Sequence, residues 1–170
     1  NEKEPIDGHD VITTIDVNIQ DITHHALLRQ LEYFEADHGC AVVMETATGE
    51  IKAISNLGRT SKGKYFEKRN YALWESHEPG STFKLASLMA ALDDKVIDTS
   101  TVVDTEKGKV YIYNRKVEDS KRGGYGKISA ARVFEVSSNV GIVKLIREHY
   151  DQNPGKFISK LEKYGFKKPI

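Results

Sequence analysis

Ser81-Thr82-Phe83-Lys84, directly after Glu78-Pro79-Gly80, carries the strongest chemical signal in the chain. A serine and a lysine three apart lie one above the other on a helix face. The Pro-Gly pair before them and the apolar run 85–92 after them place the pair in the first turn of a helix. A cation is disfavoured there, because the helix N-terminus carries partial positive charge and prefers an acid at the third position. The same field would lower the pKa of Lys84 and stabilise negative charge building up near Ser81. A serine needs a nearby base to become a nucleophile, and a lysine held neutral can be that base. The plainer alternative is capping, since serine ahead of an apolar helical run is most often an N-cap.

A second element lies downstream, Ser137-Ser138-Asn139 followed by Val140-Gly141. It sits between two helical patterns, 128–136 and 140–150. Alternate residues of a non-helical junction can point into one cleft. Ser137 could then relay a proton, and the Asn139 amide could donate to a substrate carbonyl. Here too capping competes, because Ser138 or Asn139 could simply start the second helix.

Together the two elements resemble the serine transpeptidases that bind penicillin, whose signature also includes a Lys-Thr-Gly strand. The stretch from Glu78 to Lys84 looks like the nucleophile motif of class B penicillin-binding proteins, the monofunctional transpeptidases of cell-wall synthesis. Ser137-Ser138-Asn139-Val140-Gly141 looks like their second motif. The resemblance covers Thr13-Thr14-Ile15-Asp16, a helix carrying Gln20, the hairpin at 41–55, and the chain onward to about residue 166. The look of the domain start, near Asp10 to Asp16, leans to the division-type branch.

The resemblance implies a mechanism for the whole domain. Ser81 attacks the carbonyl of the penultimate D-alanine of a peptidoglycan stem peptide, and Lys84 takes its proton. The oxyanion sits at the helix start, near the Ser81 backbone amide. Terminal D-alanine leaves, protonated through Ser137, while Asn139 orients the donor peptide. An amine of a neighbouring stem peptide then forms the crosslink. β-Lactams acylate the same serine. No cofactor and no metal is required. The family is held in the cytoplasmic membrane with its catalytic domain on the periplasmic side, and works beside a glycosyltransferase partner.

One departure is plain: no lysine here is followed by Thr-Gly or Ser-Gly. The chain therefore reads as residues 1–9, a linker or boundary segment, followed by 10–170, the N-terminal part of a transpeptidase domain ending before that strand. In the family the strand supplies one cleft wall and one of two oxyanion-hole amides. Losing one such donor typically costs about 100- to 1,000-fold in rate. This part alone is expected to be inactive or nearly so. Three other readings stand beside this one: a serine β-lactamase, a non-catalytic penicillin sensor or binding module, and an unrelated helical protein in which Ser81 and Ser137 are caps.

The elements that must position these residues give an α+β class, a partial penicillin-binding, serine β-lactamase-like fold. Helical spacing runs over 19–34, with Ile22, Ala26, Leu27, Leu31 and Phe34 on one side. Strand-like runs 41–44 and 51–54 flank Ala47-Thr48-Gly49, a hairpin turn. Residues 58–68 read as a polar, basic loop. The nucleophile helix ends near Asp93-Asp94. Val102-Val103 and 110–113 flank Glu106-Lys107-Gly108-Lys109 as a second small hairpin. A final helix, 157–164, stops at Gly165. A lone hairpin is marginal in water. The first hairpin should therefore belong to an incomplete antiparallel sheet whose edge is exposed or paired with another copy.

Composition excludes several classes. Formal net charge is zero, so no nucleic acid or anionic surface is favoured. The single cysteine, Cys40, cannot form an internal disulfide and reads as a small buried apolar residue. Gly58 to Lys64 has phosphate-loop spacing, but Tyr65 stands where Ser or Thr should hold magnesium. The histidines, His9, His24, His25, His38, His77 and His149, show no ligand spacing, so no zinc site is expected.

Overall fold

The computed structural model describes residues 8–168. The chain divides into two compact units, with the boundary between His77 and Glu78.

In the first unit, α1 (Val17–Phe34) precedes β1 (His38–Met44), β2 (Ile51–Arg59), β3 (Tyr65–Glu67) and the single-turn α2 (Tyr71–Trp74). The expected hairpin is present, with Val42 opposite Ile54. Residues 58–68 are not a loop, however. Arg59 pairs with Tyr65 and Leu57 with Glu67, which makes β3 a third antiparallel strand. The turn between them closes through Thr60, whose amide donates to the Lys64 carbonyl at 2.8 Å. A three-residue strand, Tyr65-Phe66-Glu67, is too short for alternation to register in sequence.

Only the far end of β2 is paired with β3. Along its first half the free side is met by side chain and loop. The Asp16 amide donates to the Lys52 carbonyl at 2.9 Å. The Gln20 side-chain amide donates to the Ile54 carbonyl at 2.9 Å and accepts from the Ile54 amide at 2.8 Å. Asp16 also caps α1, accepting from the amides of Asn18 and Ile19. This clamp sets the rotation of the helix. Gln20, His24, Leu27 and Leu31 form the inward row, and Leu31 is buried. Ile22, Ala26 and Phe34, expected inward, are exposed. A polar anchor therefore overrides the apolar stripe. Cys40 is also exposed rather than buried, because β1 is an edge strand. Val42, Val43 and Met44 on it are exposed as well, in keeping with the expected open sheet edge.

The second unit opens on a 3-10 turn, Gly80–Thr82, which runs into α3 (Phe83–Asp93). Then come β4 (Val102–Asp104), β5 (Lys109–Ile112), β6 (Arg115–Glu118), β7 (Lys127–Ser129), α4 (Ala130–Glu135), α5 (Asn139–Tyr150) and α6 (Pro154–Lys163). The expected second hairpin is replaced by two separate pairings, β4 with β7 and β5 with β6. Buried Thr105 draws β4 away, since its amide and hydroxyl both donate to the Gly126 carbonyl. Ile128 consequently belongs to β7, and α4 starts two residues later, capped by Ser129. The last helix starts before residue 157, at Pro154, with Asn153 as its cap. Leu88, Ala91, Val133, Ile142, Leu145 and Tyr150 form the heart of this unit's core.

The C-terminus of α3 carries two acids, against the preference of the helix dipole for cations. Lys160 compensates, at 2.7 Å from both Asp94 Oδ1 and Asp93 Oδ2. Tyr150 donates to Asp94 Oδ2 at 2.9 Å. The bonds from Lys160 first, and those from Tyr150 and Lys156, overcome burial and hold the Asp94 carboxyl at about 2, against an ordinary 3.8. A depressed folded pKa contributes stability above the unfolded value and loses it as pH falls. Stability should thus drop between about pH 4 and pH 2. Asp94→Asn should flatten that limb and cost about 1–3 kcal/mol at neutral pH. Urea unfolding across this pH range checks both, and an unchanged acid limb would refute the assignment.

Candidate active site

The 3-10 turn and α3 together bring Ser81 onto Lys84. Gly80 has φ of 56°, a left-handed conformation that glycine adopts without steric cost. In a 3-10 turn residues three apart eclipse, and Ser81 Oγ lies 3.2 Å from Lys84 Nζ. The pair therefore straddles a 3-10/α junction rather than sharing one α-helical turn. Thr82 occupies the N-cap position of α3 and makes no side-chain capping bond. The Ser81 hydroxyl meets the lysine amine instead of capping the helix.

Lys84 is buried at 8% relative exposure, rare for a lysine. Burial pushes its pKa below the usual 10.5, and the Asp119 carboxylate partly opposes this. The effect expected from the helix terminus is thus produced first by desolvation. Nζ has two further acceptors, the Ser137 carbonyl at 2.6 Å and the Ser137 hydroxyl at 2.8 Å. Ser81, Lys84 and Ser137 therefore form one hydrogen-bonded cluster.

Ser137 reaches the lysine from an unusual backbone. Its φ is 54°. Its amide donates to Phe134 O at 3.0 Å and the Ser138 amide to Val133 O at 2.9 Å. This is the Schellman arrangement that ends a helix, with serine at the position glycine normally takes. A non-glycine residue there costs about 1–2 kcal/mol, and such strain gathers at functional sites.

Ser138 does cap α5, as the capping alternative anticipated. Its hydroxyl accepts from the Gly141 amide at 2.8 Å and donates to the Asp119 carboxylate, 2.9 and 3.0 Å from its two oxygens. Asp119 also accepts from the Val140 amide at 2.9 Å and is 5% exposed. Asn139 is not in a non-helical junction but is the first residue of α5, and its amide donates to the Glu118 carbonyl at 2.8 Å. Among the described residues Asn139 makes no hydrogen bond with Ser81, Lys84 or Ser137. Gly141 permits the close approach of α5 to α4, since a Cβ there would lie 2.6 Å from Val133 Cγ2. Sequence reasoning missed Asp119 and Glu118. Glu118 ends β6 and Asp119 follows it, 21 residues before Asn139 and 19 before Ser138, which they respectively hold, and no local spacing marks them.

The Ser81 hydroxyl, a buried amine and the Ser137 hydroxyl thus stand in one hydrogen-bonded array. Residues 39–170 match the family described as penicillin binding protein transpeptidase domain. The chain belongs to that family. It is 31% identical over 147 residues to stage V sporulation protein D of Bacillus subtilis, which covers 83% of this chain and 23% of that protein. It is 32% identical over 148 residues to the probable peptidoglycan D,D-transpeptidase PenA of Neisseria gonorrhoeae, with 84% and 25% covered. The chain thus spans about a quarter of the length of these relatives. The TP domain of Burkholderia pseudomallei penicillin-binding protein 3 superposes with a TM-score of 0.74 at 28% identity, covering 86% of this chain and 40% of that one. The α+β, partial transpeptidase fold expected from sequence is the fold found.

Two outcomes follow for stability. Ser137→Gly and Ser137→Ala both delete the hydroxyl, but only glycine relieves the backbone. The glycine variant should be about 1 kcal/mol more stable than the alanine variant by urea unfolding, and equal stability would rule out the strain. Asp119→Ala strips two buried donors of their acceptor and should cost about 2–5 kcal/mol, read as a fall in midpoint.

Proposed function

We propose that this chain is the N-terminal part, residues 10–170, of a serine D,D-transpeptidase domain that crosslinks peptidoglycan stem peptides. The observation that carries the proposal is Lys84, buried, with its amine between Ser81 Oγ and Ser137 Oγ. In its neutral form Lys84 accepts the Ser81 proton as Oγ attacks the penultimate D-alanine carbonyl. Ser137, bonded to the same amine, passes a proton to the departing terminal D-alanine. The acyl-enzyme then yields to an amine of a second stem peptide. Asn139 orients the donor peptide, and β-lactams acylate Ser81 in the same way.

The wall and second oxyanion donor of the cleft come from a Lys-Thr-Gly strand that this chain lacks. By itself the chain is then nearly inactive. Exposed Leu85, Met89 and Leu92 on α3 and the apolar edge strand β1 are surfaces that the rest of the domain would cover. For the whole protein we infer an anchored, periplasmic location beside a glycosyltransferase partner. No described helix is long and apolar enough to cross a membrane. A division role follows from the likeness of the domain start at Asp10 to Asp16.

Intact-mass detection of labelled penicillin tests the reading. The full-length protein should carry one adduct, absent in Ser81→Ala, and absence of any adduct on folded protein would overturn it. Slow loss of the adduct separates a transpeptidase from a β-lactamase. Stable acylation without peptide crosslinking would indicate a sensor. Acylation should accelerate with rising pH, through an inflection below the usual lysine value of 10.5, because only the neutral amine accepts a proton. Lys84→Met should abolish that inflection and slow acylation by at least about 100-fold.

A further inference from the structure

In the first unit three potential ligands converge that sequence spacing does not connect. His38 begins β1, Glu75 follows α2, and His77 lies two residues on. Glu75 Oε2 is 2.8 Å from His38 Nε2 and 3.0 Å from His77 Nε2. All three ligand atoms lie within 4.8 Å of one another. Glu75 has extended backbone, φ −104° and ψ 140°, so a residue two further on can return to the same side.

We propose that His38, Glu75 and His77 form a binding site for a borderline divalent cation, zinc foremost, with water completing the coordination. Two imidazoles and one carboxylate are a recognised zinc donor set with an open fourth position. Hard cations such as magnesium prefer oxygen ligands, so the set discriminates against them. Metal–ligand bonds of about 2.0–2.1 Å in a tetrahedron place ligand atoms about 3.3 Å apart. The two contacts on Glu75 need to open by only a few tenths of an ångström to admit the ion.

The strand end is built to aim one ligand. The His38 ring stacks on Tyr71, with centroids 4.4 Å apart and planes 18° from parallel. Tyr71 is buried and fits because Gly58, the register partner of His38, has no side chain. A Cβ on Gly58 would lie 2.3 Å from the Tyr71 hydroxyl oxygen. The other imidazole is accessible, with the His77 side chain 74% exposed, so water and ion can reach the open positions. A bound ion would clasp β1 to segment 75–77, which runs directly into the Glu78-Pro79-Gly80-Ser81 motif.

The test uses the full 170-residue chain, metal-free and without an affinity tag. Calorimetric titration with zinc should give one ion per chain, and cobalt(II) should develop the visible absorption of a low-coordinate site. Zinc should raise the melting temperature, whereas magnesium should not. His77→Ala, at an exposed position, should melt like the parent in chelator yet bind zinc at least about tenfold more weakly. Glu75→Gln and His38→Ala should do the same, and His149→Ala, in the other unit, should bind like the parent. No binding at millimolar zinc, or binding unaltered in His77→Ala, overturns the proposal. Should His38→Ala fail to fold, His77→Ala decides alone.

Discussion

An amine kept out of water is the constraint on which the candidate site depends. Removing a lysine from solvent penalises its charged form, and every donor it retains must find an acceptor. Lys84 meets both conditions, with three acceptors from Ser81 and Ser137 around a desolvated nitrogen. Desolvation lowers the pKa below its usual 10.5, while the carboxylate of Asp119 limits the fall. The same geometry serves both protonation states. As an ammonium, Lys84 fills the three acceptors. As an amine, it has a lone pair that can accept a hydrogen bond from the Ser81 hydroxyl 3.2 Å away.

Much of the second unit exists to hold the acceptors still. The Schellman ending of α4 turns Ser137 toward the amine at the cost of a left-handed residue. Asp119 then fastens the start of α5 by three contacts, to the Ser138 hydroxyl and the Val140 amide. Gly141 lets α5 lie against Val133. Strain at one residue is sustained because the residues on either side are over-determined, as expected where backbone strain persists.

The first unit solves a different problem with the same means. Its central strand would expose unpaired backbone along the first half of its free side, and a glutamine amide from α1 supplies the missing partner. A polar clamp so placed fixes the helix rotation more firmly than the apolar stripe does. That is why Ile22 and Phe34 face outward while His24 and Leu31 face in. The other edge, β1, has no such cover among the described residues.

The sequence by itself determined what local rules can encode. The Ser81–Lys84 contact, the helices read over 19–34, to about 93, and over 140–150, the first hairpin and the α+β class were all legible from period, punctuation and motif. Ser137 was legible as a residue brought to the same pair, although not its left-handed backbone. Tertiary structure alone decided the rest. Residues 102–113 read as one hairpin because apolar runs flank a glycine turn, yet β4 found a distant partner in β7 beside Thr105, and β5 turned at Tyr113-Asn114 to pair with the next strand, β6. Asp119 carried no signal, since a lone acid means nothing until folding sets it against Ser138 and Lys84. His38, Glu75 and His77 have no motif spacing and meet only because a strand end and a loop after α2 pack together. Short-range pattern records propensity and periodicity, whereas long-range pairing depends on which buried polar group must be satisfied, and that is settled only when the chain closes on itself.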